Sequence, residues 1–325
     1  MAGMTIAVTG AAAFFGQHLA LALDADPAVD AVIAIDSKPP AKLGAKSTWA
    51  RLDLVHPRSA EQLAEILRLR PVDAFVHTAF LSRPVHQGGG WAHELEAIGT
   101  RHVLAAVEAT GVRKFVLRSS TLAYGALPTH PNFLVERSPL SGGAQSSFLA
   151  DKVEAEAQTT AFAQRNPERV ATILRFAPLL GFGADTIATT YLRRRFCPML
   201  LGFDPLVQFL HEDDAIDAAR AAVHRDVRGA INIGAPGVTP LSQAIRVAGG
   251  RALPLPRKTL QRLSEALWTA RVGEFPPGFL TFLKYPCVGD LRRMREELEF
   301  KPRHDVRSAI QAFSSALQTS KALAA

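Results

Sequence analysis

Apolar residues along this chain fall into short runs, and the segments between the runs carry a helical period. Ile6, Ala7 and Val8 form the first run, as expected of a strand buried on both faces. Gln17 to Leu23 reads as a helix, and Ala31 to Ile35 is a second run that stops at Asp36. The alternation continues. Arg51 to Leu54 reads as the end of a third strand, Ala60 to Leu69 as a helix with Leu63, Ile66 and Leu67 on one face, and Val72 to His77 as a fourth strand. Ala92 to Ala109 predicts a helix and Lys114 to Ser119 a fifth strand. Phe148 to Gln164 predicts a long helix ending before Asn166-Pro167, and Ala171 to Arg175 a sixth strand. Arg83 to Gly90 holds a proline and three glycines and reads as a mobile loop.

After Ala177 the pattern loosens. Ala184 to Phe196, Asp213 to His224, Leu241 to Gly249, Lys258 to Val272 and Val306 to Leu317 read as helices, and Gly229 to Ile233 as a short strand. Asp213 and Asp214 sit in the first turn of their helix, where the helix dipole favours acids. Strands alternating with helices predict an α/β protein built on a doubly wound parallel sheet. Residues 1–177 would carry that sheet. Residues 178–325 would form a smaller α/β part, interleaved with it and packed over the sheet's carboxyl edge as one wall of a cleft. No linker divides the two.

The first βαβ unit points to chemistry. A strand, a tight turn through Thr9, Gly10 and Ala11 to Ala13, a helix from Gly16, a second strand and a terminal acid follow in order, with Asp36 20 residues after Gly16. A dinucleotide needs each part: a glycine lets backbone approach the pyrophosphate, the helix N-terminus offers free N–H groups and partial positive charge, and the acid takes the adenosine ribose hydroxyls. The middle glycine expected in such a turn is Ala13 here. The carboxylate of Asp36 would repel a 2′-phosphate, which favours NAD over NADP.

Composition narrows the classes. The chain has 325 residues, 48% hydrophobic and 21% charged, which is ordinary globular material. No stretch of about 18 apolar residues predicts a membrane span, and no basic-then-apolar leader is visible at the start. Cys197 and Cys287 make neither a disulfide framework nor a zinc site, so no metal is expected and a reducing cytoplasm fits. The net charge of +7 is uneven, since residues 251–325 hold 13 basic and 7 acidic side chains. A basic end of that kind can meet phosphates or an anionic membrane surface, although a solvated basic face explains it as simply. Leu260 to Phe282, rich in Leu, Trp and Phe between arginines, adds to the membrane-surface idea. No nucleic-acid motif is present.

Together the motifs resemble the extended short-chain dehydrogenase/reductases, the group of UDP-glucose 4-epimerase and the sugar-nucleotide dehydratases. The resemblance covers nearly the whole chain. It rests on Thr9-Gly10 to Gly16, Asp36, Asp53-Leu54, His77-Thr78-Ala79, Gly99-Thr100, Ser119-Ser120 with Tyr124-Gly125, Lys152, Arg175 with Pro178, and Gln208 to Asp214. It implies a Rossmann sheet with a substrate-binding C-terminal part and NAD as cofactor. NAD would be held by Gly10, Ala12, Ala13, Phe14, Phe15, Gly16, Asp36, Asp53, Leu54, His77, Thr78, Ala79, Ser119, Lys152, Phe176 and Pro178. It also implies hydride transfer between nicotinamide and a hydroxyl-bearing small molecule such as a sugar or sugar nucleotide, and a homodimer built from the helices at Ala92–Ala109 and Phe148–Gln164. In this family a Ser or Thr, a Tyr and a Lys do the chemistry, the Tyr four residues before the Lys on one helix face. Lys152 is present and Ser120 matches the serine.

Three departures stand out. The catalytic tyrosine position is Phe148, which has no titratable group, and Tyr124 is the nearby phenol that could replace it. The arginine that binds the diphosphate of nucleotide sugars is Val207. The asparagine on the helix before Gly99-Thr100 is Glu96. The alternative function is therefore a catalytically degenerate NAD(P)-binding protein with a sensing or structural role. His211, Asp213 and Asp214 would order the helix that follows them rather than bind a metal.

Overall fold

The computed structural model describes residues 3–86 and 89–324. Gln87 and Gly88, within the loop expected at Arg83–Gly90, lie outside the described residues. The central sheet is built from β1 (Met4–Thr9), β2 (Val29–Asp36), β3 (Ser47–Arg51), β4 (Ala74–His77), β5 (Lys114–Ser120), β6 (Val170–Phe176) and β7 (Gly229–Ile233). All seven strands are parallel, in the order β3-β2-β1-β4-β5-β6-β7. The order reverses between β1 and β4, so a crevice opens at the carboxyl ends of these two strands, the place where open α/β sheets bind ligands.

Helices cover both faces. α1 (Phe14–Asp24) and α5 (Glu212–His224) pack on one face, where Leu19, Leu23, Ile216 and Val223 meet Ile6, Val8 and Leu174. α2 (Ser59–Arg68), α3 (Gly99–Thr110) and α4 (Ser147–Arg165) cover the other, where Leu63, Leu67, Val103, Val107 and Phe162 meet Phe75, Phe115 and Ile173. β7 comes from the C-terminal part, yet it pairs with β6 along its whole length. The two parts therefore share one sheet.

Several expected elements shift. The third strand ends at Arg51 rather than Leu54, because Asp53 turns the chain by accepting from the Val55 N–H at 3.1 Å. The helix expected from Ala92 is interrupted: a π-helical turn, Glu94–Ile98, stands between the short helix Gly89–His93 and α3. The helix expected over Ala184–Phe196 is only Ile187–Leu192, started by a capping box between Thr186 and Thr189. Pro198 cannot continue a helix, and Phe196–Leu200 instead forms a strand parallel to Arg251–Leu255. α5 begins where the His211 side chain accepts from the Asp213 N–H, and buried Asp214 accepts from the N–H groups of Arg303 and His304. This cluster holds the segment before the last helix, Val306–Ala324, against α5. Among the described residues no helix is long and apolar enough to cross a membrane, and no group of three or more His, Cys, Asp or Glu side chains could hold a metal.

Candidate active site

The turn after β1 is shaped by two glycines. Gly10 has φ +71°, and a Cβ there would lie 2.9 Å from the Ala79 backbone. A Cβ on Gly16 would lie 2.2 Å from the Gly10 carbonyl oxygen. Neither position admits a side chain without moving backbone. Ala13 caps α1 in extended conformation with no side-chain cap, and the first turn contains no acid. The first-turn N–H groups of α1 are consequently open toward the crevice, as a pyrophosphate requires. Phe14 packs over Gly183 and stacks at 4.2 Å on His18, and Phe15 meets Phe176 edge-on at 5.4 Å.

At the end of β2, Asp36 accepts from the Ala12 N–H at 3.0 Å and from the Lys38 N–H at 3.3 Å. The acid is thereby fixed beside the glycine turn, where an adenosine ribose would lie. Asp53 is exposed, and Leu54 is buried against Gly99. Thr78 donates to the Thr9 carbonyl at 2.6 Å. These placements fit a dinucleotide along the β1–β2 side of the crevice.

His77 is a correction. Its ring is fully buried, with Nδ1 2.7 Å from Thr9 Oγ1 and Nε2 3.1 Å from Thr100 Oγ1. Burial pushes its pKa down to about 3. Both nitrogens are used inside the core, so the ring offers nothing to a cofactor.

Tyr124 is a second correction. It is completely buried. Its hydroxyl donates to Asn232 Oδ1 at 2.8 Å and accepts from Arg175 at 2.7 Å, and burial raises its pKa to about 12. Arg175 is ion-paired at 2.7 Å with Glu156, which also accepts from Ser119 Oγ. The network ties β5, β6, β7 and α4 together, and it occupies the hydroxyls of both Ser119 and Tyr124. Tyr124 is a structural phenol and does not replace the missing one.

The remaining residues meet in a small pocket at the ends of β4, β5 and β6, lined among others by Phe80, Ser120, Phe148, Lys152 and Pro178. Ser120 Oγ accepts from the Leu122 N–H at 3.2 Å and caps the turn after β5. Among the described residues no protein acceptor takes its proton. Lys152 is not open to the pocket as a free cation. Its Nζ lies 2.8 Å from Glu96 Oε2, both side chains are buried, and Glu96 Oε1 accepts from the Leu81 N–H at 2.6 Å. Burial pushes the Glu96 carboxyl up and the Lys152 ammonium down, and their contact opposes both shifts. The Phe148 ring sits 3.8 Å from Lys152 Nζ, so the space of a phenol is filled by hydrocarbon facing a cation.

Arg118 also lines this pocket and escaped the sequence reading. Its guanidinium lies 4.6 Å over the Phe15 ring and donates to the Phe80 carbonyl and to Ser82 Oγ, at 3.3 and 3.1 Å. Burial lowers its pKa to about 10, still far above neutrality. Arg118 and Lys152 line the pocket and Glu96 pairs with Lys152, so the Arg118 charge has no carboxylate partner among the described residues. The only signal was an arginine next to Ser119-Ser120, directly after the apolar run Phe115 to Leu117.

A larger cavity of about 240 Å³ adjoins this pocket, and the two share Leu122, Pro178, Ile187 and Ala188. Its walls come from Tyr191, Leu192, Val207, Phe279 and Leu283, and from α6 (Arg257–Thr269) through Leu260, Leu263 and Leu267. Arg194, the one cationic residue lining it among the described residues, is ion-paired with Glu274.

A seven-stranded dinucleotide-type sheet with a glycine turn, a ribose acid and a Ser/Lys pocket defines an NAD-binding protein of the extended short-chain dehydrogenase/reductase type. The model of the NAD-dependent epimerase/dehydratase family matches residues 6–234, and the chain belongs to that family. The family's cofactor is NAD, and the crevice fits it. An uncharacterized protein of Mycobacterium tuberculosis is 33% identical over 305 residues, covering 92% of this chain and 80% of that one. The 3-diazoavenalumate denitrifying reductase of a Streptomyces species is 29% identical over 321 residues, covering 93% and 97%. Among solved structures, UDP-glucose 4-epimerase of Thermotoga maritima with UDP-glucose superposes with a TM-score of 0.73 at 19% identity, covering 98% of this chain and 100% of that one. At that identity the likeness concerns the fold.

Proposed function

We propose that this protein is an NAD-dependent oxidoreductase that passes hydride between nicotinamide and an oxygen-bearing carbon of a small, largely apolar substrate. One observation carries the reading: the cavity beside the Ser120 and Phe148 pocket is walled mostly by hydrocarbon, and the one cation lining it among the described residues is already engaged by Glu274. A diphosphate placed there would lose its water without gaining a charged partner, a large cost. The relative named as a denitrifying reductase, similar along nearly the whole of both chains, supports reduction as the type of reaction.

The nicotinamide would supply the hydride donor or acceptor; the rest falls to the chain. The Gly10 turn and the first turn of α1 hold the pyrophosphate, Asp36 holds the adenosine ribose, and Asp53 with Leu54 flanks the adenine. Arg118, rather than Lys152, has positive charge to spare for the cofactor's nicotinamide half. Ser120 has a hydroxyl proton free to donate to the reacting oxygen. Phe148 cannot give or take a proton, so proton exchange runs through Ser120 and water. The boundary between cofactor-binding and substrate-binding parts would fall near Ala177, after which all the cavity-lining residues except Leu122 lie.

The same proposal has the protein work in the cytoplasm as two copies paired through α3 and α4. The outward residues of these helices, including Arg101, Ala105, Glu154 and Ala157, are small or of opposite charge. Light scattering that finds a single 35.0 kDa chain would end this part of the proposal.

The main test has two stages. Quenching of Trp fluorescence measures NADH against NADPH, and NADH is expected to bind more tightly. NADH consumption is then followed with apolar aldehydes and ketones, and NAD reduction together with epimerised product is followed with UDP-sugars. Turnover of UDP-sugars in preference to apolar carbonyl compounds would overturn the substrate assignment.

A further inference from the structure

We propose that the mouth of the large cavity is a membrane-docking surface, a basic amphipathic face that rests on an anionic lipid bilayer and admits the substrate from it. The proposal builds on the apolar-substrate reading above.

Two segments, residues 193–206 and 251–284, form this face. The strands Phe196–Leu200 and Arg251–Leu255 pair along their length, the Leu201 N–H donates to the Leu255 carbonyl at 2.9 Å, and α6 follows at once. Farther along, Lys284 Nζ lies 5.0 Å over the Phe203 ring, joining the end of one segment to the other. Of the fourteen large apolar side chains exposed among the described residues, eight fall in these two segments: Phe196, Leu201, Phe203, Leu206, Leu253, Leu263, Leu267 and Val272. Leu201 is 61% and Val272 68% exposed. A clustering of this degree marks an interaction surface rather than the scatter of single residues found on any protein. Only Leu260 of α6 is buried, so this helix lies on the surface with Leu263 and Leu267 in water.

The patch is continuous with the binding space. Leu206, Leu263 and Leu267 are exposed and also line the cavity. The cavity in turn shares Leu122, Pro178, Ile187 and Ala188 with the pocket that holds Ser120.

Charge identifies the occupant. The two segments hold nine basic and three acidic side chains, a surplus of six in a chain whose net charge is +7. Asp204 accepts from Ser242, Glu274 is paired with Arg194, and Glu265, exposed on α6, accepts from Gln261. Arg194 is the one basic residue of this face that is ion-paired among the described residues, so Arg251, Arg257, Lys258, Arg262 and Arg271 face solvent as free cations. A second copy of the chain would bring the same positive surplus against itself. An anionic bilayer complements both features, lipid head groups meeting the arginines and acyl chains meeting Leu201, Leu253 and Val272.

The test uses the full chain and vesicles of phosphatidylcholine, with and without an equal share of phosphatidylglycerol. Co-sedimentation with the anionic vesicles at low salt, released by high salt and lacking with neutral vesicles, is the expected result. The pairs Leu253→Ser with Val272→Ser, and Arg257→Glu with Lys258→Glu, lie outside the cavity lining. Each pair should lower the bound fraction at least tenfold while NADH quenching stays unchanged, which shows that the fold is intact. Recovery only in the supernatant at low salt would overturn the proposal. So would light scattering showing an oligomer that the Leu253→Ser, Val272→Ser pair returns to a smaller species, because a second copy would then be the occupant. Turnover of soluble apolar carbonyl compounds without vesicle binding would remove membrane docking and leave the substrate reading standing. Vesicle binding with turnover confined to UDP-sugars would support docking and remove that reading.

Discussion

Replacing Glu96 by glutamine tests how charge is balanced in the pocket that holds Ser120, Phe148 and Lys152. The amide preserves size and the acceptor used by the Leu81 N–H, and it removes the carboxylate 2.8 Å from Lys152. At that separation and an effective dielectric of about 20, the attraction is roughly 6 kcal/mol. Desolvation of two buried ions offsets much of it, so the pair is worth less than its Coulomb energy. Removing one member costs more than the pair contributes, about 3–5 kcal/mol, because the other charge stays buried without a partner. Lys152 can escape by releasing its proton. That cost is capped near the work of bringing an ordinary lysine to pH 7, roughly 4–5 kcal/mol at about 1.4 per unit. A loss of about 3 kcal/mol is therefore expected for Glu96→Gln. Lys152→Met should cost about 2 kcal/mol, less than the glutamine change, because burial already holds the Glu96 carboxyl up and it protonates readily. Denaturant unfolding followed by circular dichroism measures both, together with the double variant. The double variant should recover at least about 2 kcal/mol against the sum of the single losses. Additive losses would show that the two side chains are not coupled and would refute this account of the pocket.

Three other changes follow from the same geometry. Phe148→Tyr puts a phenol beside Lys152 and should raise hydride transfer by roughly 10²-fold, read from NADH absorbance; an unchanged rate would show that proton transfer is not what the site lacks. His77 is held neutral with a pKa of about 3, against an ordinary value near 6.5. Its folded-state pKa is depressed, so the unfolded chain takes up a proton that the fold cannot. This contribution to stability is intact above pH about 6.5 and is lost at about 1.4 kcal/mol per unit as pH falls toward 3. Unfolding free energies of the wild type should thus drop between pH 6 and 4.5 by about 2 kcal/mol more than those of His77→Asn, and parallel pH profiles would contradict it. Gly10→Ala forces a left-handed residue, about 1–2 kcal/mol, and a Cβ 2.9 Å from the Ala79 backbone. NADH affinity by fluorescence should fall at least tenfold, and an unaltered affinity would remove the turn from the cofactor site.

The sheet was legible because its strands are buried on both faces. Runs such as Ile6–Val8 and Ala171–Leu174 have no polar alternation to blur them, and the helices between them carry a clear apolar stripe. The C-terminal part was less legible. Phe196–Leu200 and Arg251–Leu255 are short, include prolines and pair across more than fifty residues, so no local pattern announces them. The glycine turn and Asp36 could be read from the spacing that a dinucleotide-type βαβ unit imposes, whereas Ser120 and Lys152 were singled out through the family resemblance. Their partners were not. That His77 and Tyr124 are spoken for inside the core, and that Glu96 reaches Lys152 across 56 residues, are facts of three-dimensional proximity. The cavity wall was invisible for the same reason, since Val207, Leu260 and Phe279 are scattered apolar residues until the fold gathers them.

The π-helical turn at Glu94–Ile98 carries one residue more per turn than the helices on either side. That extra residue sets the rotational phase between His93, which pairs with Asp151, and α3, whose Thr100 meets His77. Glu96 lies inside the turn, so its aim at Lys152 depends on the chain's length there as well as on the carboxylate. Loss of a single codon in this segment would rewind the turn to an ordinary helix and swing the acid by about 100°, away from the lysine. The lysine could thus be released without any substitution in the pocket. Insertions and deletions, and not only point changes, are a route by which a scaffold of this kind can exchange one catalytic arrangement for another.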